Sequence, residues 1–225
     1  MAFPAGVLSR REILRVGSVV AAGIVAGPAL AKGQINSGIA GAARPSATAM
    51  PASPITIRPD LFRRAMAGLQ KHQSNIAHRD RIGIVDFDLP SAKPRFHIVD
   101  LASGKSRSLL VAHGRGSDPD HTGWLQRFSN MPGSAASSEG AYLTDNIYTG
   151  KHGRSRRLVG LDSTNDNALP RAIVIHSAWY VSDEMIAQHG KLGRSEGCFA
   201  LSSGDLEYAL SSLGDGRMIY ADKIA

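Results

Sequence analysis

The stretch HGKLGRSEGCFAL, His189–Leu201, carries the single cysteine of a 225-residue chain, Cys198, between glycine-punctuated turns and an apolar run. A lone thiol has no disulfide partner within its own chain. It is either a small buried hydrophobe or a group kept for its reactivity. A thiol of pKa ~8.5 is only slightly ionised at neutral pH, so a reactive one needs a base or a positive neighbour. Upstream, RAIVIHSAWYV, Arg171–Val181, sets His176 at the end of an apolar strand, Ala172–Ile175, where a side chain can leave the core and face a cleft. A strand end and a loop about twenty residues apart in sequence can meet in space. Gly197 removes a side chain beside the thiol, so that substrate can approach and local N–H groups can face a developing oxyanion. Gly190 and Gly193 allow the preceding loop to fold tightly over the site.

Outward from this pair, short apolar or alternating runs are separated by Pro, Ser and Gly: RIGIVDFDL, PRFHIVDLAS, KSRSLLVAHG, GAYLTDNIYTG, RRLVGLD and the closing GRMIYA. That pattern predicts strands with antiparallel pairing. Three helices accompany them. Pro59 and Asp60 open one with Leu61, Phe62, Ala65, Met66 and Leu69 on a single face. Ser182 caps a short second helix that stops at Gly190. Ser202, with Asp205 three residues on, starts a third whose apolar face is Leu206, Ala209, Leu210 and Leu213. The expected fold is mainly β with a few short packed α-helices.

The N-terminus reads as an address. Arg10 and Arg11 precede an apolar run, Val16–Ala26, shorter than the ~20 residues that span a bilayer. Ala29-Leu30-Ala31 follows as a cleavage site, so residues 1–31 are expected to be a cleaved export signal. The paired arginines in SRREILR resemble the twin-arginine type. Residues 32–58, rich in Ala, Ser, Gly and Pro, are expected to be a flexible tether, and residues 59–225 the functional domain. The chain is expected to work in the periplasm or cell envelope, without a stable membrane span after cleavage and as a monomer. The signal holds +2 of the formal +7, leaving +5 on the remainder. No dense basic block or aromatic-interleaved stripe reads nucleic acid; a weak pull towards an anionic polymer such as cell wall fits the charge.

The full pattern (His176-Ser177 after a strand, then His189-Gly190, Gly193, Ser195, Gly197 and Cys198) resembles the L,D-transpeptidase catalytic domain, the YkuD-like family, and its murein L,D-transpeptidase branch. The resemblance runs through VAHGRGSDP, RFSNMPGSAASSEGAY and GKHGRSRRLVGLD, covering roughly residues 81–221. It implies a mostly β catalytic domain performing cysteine acyl transfer on peptidoglycan stem peptides, with no metal and no organic cofactor. By that resemblance Cys198 is the nucleophile, His176 the base, and the Ser177 carbonyl the group holding the imidazole tautomer. Gly197 and Cys198 N–H groups would form the oxyanion hole, with Ser195 and Glu196 at its rim. The thioester would be resolved by a neighbouring stem's amine or by water.

Two positions depart from the commonest motif. Glu196 stands where many members have histidine, and an ionised acid there opposes thiolate formation. Ala200 stands where many have an arginine, removing one contact to a substrate carboxylate that Arg194 or Arg154 would supply. His113, His121 and His152 lie in Gly/Ser-rich loops and are candidates to line the cleft; His189 more simply shapes its loop. Ser129–Tyr142 reads as a structural segment bordering the cleft. Two other functions compete. A zinc-dependent peptidase lacks an H-E-x-x-H pair and leaves the setting of Cys198 unexplained. A non-catalytic wall-binding module would keep the fold without the reaction.

Overall fold

A computed structural model describes Pro54 and residues 56–224. The expected signal, and all of the expected tether except its end, lie outside the described residues. That end is not loose. Ile57 is buried, and Arg58 donates to Asp86 at 2.6 and 2.9 Å and to Asp88 at 2.6 Å. The packed unit therefore reaches back past the expected boundary at Pro59.

Helix α1, Pro59–Lys71, starts with proline in its first turn and buries Leu61, Phe62, Ala65 and Leu69, the face read from their spacing. Eight strands follow: β1 Arg81–Asp86, β2 Phe96–Asp100, β3 Ser106–Leu109, β4 Gly140–Gly150, β5 Gly153–Gly160, β6 Val174–Ser177, β7 Phe199–Leu201 and β8 Met218–Asp222. They form one sheet in the order β3-β2-β1-β8-β4-β5-β6-β7. Helix α2, Asp183–His189, is capped at Ser182, whose hydroxyl accepts from the Met185 N–H, and ends at Gly190 with φ 70°. Helix α3, Ser203–Ser212, is capped by Ser202, which accepts from the Asp205 N–H and donates to the Asp205 carboxylate.

Pairing is mixed, not purely antiparallel. β1, the first strand, runs parallel to β8, the last, and β6 runs parallel to its successor β7 across a connection that holds α2. The run Ala172–Ile175 is also shorter as a strand than expected. Ala172 adopts φ 55°, and extended pairing begins at Val174.

Side chains alternate across the sheet. Ile82, Ile84, Ala141 and Met218 pack with α1 in one core. Val85, Phe96, Tyr142, Phe199 and Ile219 pack with Leu206, Leu210 and Leu213 of the α3 region in the other. The chain leaving β3 then crosses to the far edge: the Ala112 N–H donates to the Ala200 carbonyl at 3.0 Å, and Gly114 bridges Ser195. This covers the exposed ladder of β7.

Gly83 sits where the second core is tightest. A Cβ there would lie 2.7 Å from the Phe96 ring and 3.1 Å from Ile219 and Leu213. Gly83→Ala should therefore destabilise the domain by roughly 1–3 kcal/mol through overpacking, read as a lower urea midpoint with an unchanged slope.

Candidate active site

The connection from β6 to β7 builds the site. β6 ends at His176 and Ser177, and the chain passes through α2 before returning parallel to β6, with His176 level with Ala200. Cys198 lies immediately before β7, so the returning loop delivers it beside the strand that carries His176. Both line one cavity of about 720 Å³.

The imidazole tautomer follows from a single contact. His176 Nδ1 is 2.8 Å from the Ser177 carbonyl oxygen, which only accepts. Nδ1 therefore carries the proton, and Nε2 is the free base. His152, from the turn between β4 and β5, stacks on His176 with ring centroids 4.3 Å apart. Burial holds the His176 pKa below the usual histidine value, with smaller contributions in the same direction from His152 and Lys151; the Ser177 carbonyl acts the other way. Burial likewise pushes the Cys198 thiol up, assisted by Glu196 and opposed by the Val174 backbone, Lys151 and Arg171. A neutral thiol and a neutral imidazole are the resting forms that these directions favour.

The loop that carries Cys198 is held by its own polar groups. Ser195 Oγ donates to the Cys198 carbonyl at 2.7 Å and accepts the Gly197 N–H at 3.2 Å. That second bond occupies one of the two N–H groups expected at the oxyanion hole. Gly197 has φ 112°, and a Cβ there would lie 2.6 Å from the Ala136 carbonyl oxygen, so only glycine fits. Gly193 packs against Tyr180 in the same way. Burial pushes the Tyr180 hydroxyl up to about 12, with Cys198 and Glu196 adding to the shift.

The other expected residues divide. His152, Arg194, Ser195 and Glu196 are on the cavity. Glu196 is exposed at its rim and pairs with Arg115 at 3.1 Å. Arg194 is tied through Nη1 to the Asp118 and Pro119 carbonyls. Arg154 and His189 do not line the cavity: Arg154 pairs with Glu207 of α3, and His189 is the exposed last residue of α2. His121 donates from Nε2 to the Leu192 carbonyl at 2.8 Å. The Ser129–Tyr142 segment borders the cavity through Pro132, Gly133 and Ala135. Arg171, Lys151 and Tyr180 also line it and were not singled out from sequence. Arg171 opens the very run that carries His176, yet a lone basic residue before a strand gives no sign of where its guanidinium will fold.

His113 is not on the cleft but fully buried behind it. Its Nδ1 accepts from Arg95 Nη2 at 2.7 Å, so its Nε2 carries the proton and faces Asp118 Oδ2 at 3.3 Å. Arg95 and Asp118 are themselves without solvent exposure. Burial, then the Arg95 charge, pulls the His113 pKa down to about 3, which keeps the ring neutral between the two charges. Its backbone holds the loop that carries Cys198, because the Ser195 N–H donates to the His113 carbonyl at 2.9 Å.

A family model described as the L,D-transpeptidase catalytic domain matches residues 54–221. No curated protein sequence matches the chain. Similar solved structures include an L,D-transpeptidase from Mycobacterium smegmatis, at 12% identity over 64% of this chain and 58% of that one, TM-score 0.39. Another is the helical cell shape determining protein Pgp2 from Campylobacter jejuni, at 13% identity over 70% and 54%, TM-score 0.43. A third, an L,D-transpeptidase from Stackebrandtia nassauensis, is 14% identical over 72% and 65%, TM-score 0.38. The chain spans less than two thirds of the length of each.

His113→Leu should remove the bridge between the buried Arg95 and Asp118, leave each short of one partner, and cost about 1–3 kcal/mol. His113→Gln, which offers one acceptor and one donor, should recover much of that loss. Urea unfolding of both variants against the parent checks the order.

Proposed function

The chain belongs to the L,D-transpeptidase catalytic domain family, and on that premise we propose that it is an exported cysteine acyltransferase acting on peptidoglycan stem peptides. One observation carries the proposal: Cys198 and His176 line the same cavity, and the imidazole is held by the Ser177 carbonyl in the tautomer that leaves Nε2 as a base.

The reaction uses these groups in order. His176 Nε2 takes the Cys198 proton as sulfur attacks the carbonyl of the third stem residue. The oxyanion that forms is stabilised by the N–H of Cys198, with the Ser195 hydroxyl keeping the turn in shape. The tetrahedral species collapses as the imidazolium returns its proton to the leaving amine, and the terminal residue departs. The thioester is then attacked by the amine of a neighbouring stem or by water, either one deprotonated by His176. The first outcome forms a crosslink; the second trims the stem. The proton moves during attack, because burial works against a standing thiolate–imidazolium pair.

The charge of the cavity fits an acidic peptide. Arg115, Lys151, Arg171 and Arg194 line it against the single carboxylate of Glu196. Among the described residues no group of three or more His, Cys, Asp or Glu side chains is placed to hold a metal ion. An export signal at residues 1–31 and a tether beyond it fit an enzyme of the cell envelope, and no described helix is long and apolar enough to cross a membrane.

Incubation with tetrapeptide-bearing muropeptides, followed by mass spectrometry, should show an acyl adduct on Cys198. Cys198→Ala should abolish it; full activity in that variant would refute the assignment. Iodoacetamide should inactivate the protein and EDTA should not. His176→Ala should slow acylation about 100-fold or more, the lower range of general-base catalysis.

The pH dependence separates base from nucleophile. The depressed His176 pKa leaves the base form in place at neutral pH, so the wild-type rate should fall only below about pH 6.5. In His176→Ala the rate should instead climb with pH towards the raised thiol pKa. A flat profile in that variant would remove His176 from the mechanism.

A further inference from the structure

Arg171 lines the cavity but takes no part in the chemistry above. Its guanidinium is fixed by three bonds: Nη1 donates to the Ser129 carbonyl at 2.8 Å and to Ser138 Oγ at 2.7 Å, and Nη2 donates to the Ala136 carbonyl. A guanidinium has five N–H donors. The Nε–H and the second Nη2–H make no hydrogen bond among the described residues. Nε and Nη2 share one edge of the planar group, the fork that matches the two oxygens of a carboxylate. No described carboxylate forms a salt bridge with Arg171.

Nη2 of Arg171 lies beside the Cys198 loop, at Gly197. A Cβ built on Gly197 would be 3.1 Å from Arg171 Nη2, and Cys198 Sγ is 3.6 Å from the carbonyl oxygen of Ala172, the next residue. The other cations of the cavity are placed differently. Arg115 meets Glu196, Arg194 is drawn to the Asp118 and Pro119 carbonyls, and Lys151 stands on the exposed turn between β4 and β5. Among the cations of the cavity, Arg171 alone combines a fixed plane, unused N–H donors on both Nε and Nη2, and a position beside the Cys198 loop.

We propose that the free edge of Arg171 is the carboxylate receptor of this site, binding the α-carboxylate of the residue that the reaction releases. The assignment rests on the acyl-transfer function proposed above and makes it more specific. In a stem whose last residue is cleaved off, that carboxylate is two bonds from the leaving nitrogen, so a receptor beside Cys198 holds the scissile carbonyl over sulfur. Donors that end one residue past the cleavage point are selected, and bonds followed by further chain are not. The role expected of an arginine at position 200 is thus filled from a different strand connection.

The test compares iodoacetate with iodoacetamide. Both form an S–C bond with Cys198 and expel iodide, and they differ in charge. The iodoacetate-to-iodoacetamide rate ratio should fall about tenfold in Arg171→Gln, the size of one charge-assisted hydrogen bond, and should hold within about twofold in Lys105→Gln, on the exposed turn between β2 and β3 away from the cavity. The iodoacetamide rate corrects for changes in exposure or ionisation of the sulfur. On the unsubstituted protein, N-acetyl-D-alanine should slow labelling by iodoacetamide and its C-terminal amide should not, a readout that stands even where Arg171→Gln fails to fold. An unchanged ratio in Arg171→Gln, loss of the ratio in Lys105→Gln, or equal protection by acid and amide overturns the receptor. Charge-selective labelling without turnover of any muropeptide would support the receptor and sink the acyl-transfer function instead.

Discussion

The parallel pairing of β6 with β7 is the constraint on which the site depends. Parallel neighbours cannot be joined by a tight turn, so the chain must leave the sheet after Ser177, pass through α2, and return from the same end. That return places the Cys198 loop next to the strand that carries His176. The ladder aligns the two backbones, and a slip by one residue would turn His176 to the other face. Ser195, Gly197 and the bridge from Gly114 then shape the last turn before Cys198.

Behind this edge runs a polar seam that would be costly if incomplete. Arg95 is fully buried, with its guanidinium on the Val111 and Leu89 carbonyls, over the Phe87 ring and against His113. Burial lowers its pKa to about 9, with the charges of Asp86 and Asp118 acting in the other direction. Asp118 accepts from the N–H groups of Thr122 and Gly123 as well as facing His113. Every member is matched donor to acceptor, which is the condition for a buried network to hold one arrangement. Its consequence for the site is positional, because the backbone of His113 and Arg115 bonds to both sides of Ser195.

Much of the scaffold was legible because its signals are local. The α1 face, the caps at Ser182 and Ser202, and the stop at Gly190 each depend on residues within one or two turns of one another. Strand positions were legible for the same reason, but pairing direction was not: the partner of β7 is settled by where a crossover lands. Ala172 shows the limit within a single run. Its apolar neighbours read as strand, yet the Ile173 N–H donates to the Ala168 carbonyl and the Ala172 N–H to the Leu169 carbonyl, a helix-ending arrangement that forces φ 55°.

By itself the sequence determined the candidate chemistry: a lone cysteine after a glycine, a histidine at the end of an apolar run, and the residues that cap and punctuate the elements between them. Only the tertiary structure decided which charged side chains face that chemistry. His113 reads as a cleft histidine and is a buried neutral bridge; Arg154 and Arg194 read as substrate contacts and are drawn to Glu207 and to backbone carbonyls; Arg171 carries no signal in the sequence and rests beside the Cys198 loop. Long polar side chains go wherever unpaired donors and acceptors from distant segments converge, and that convergence exists only once the chain has folded.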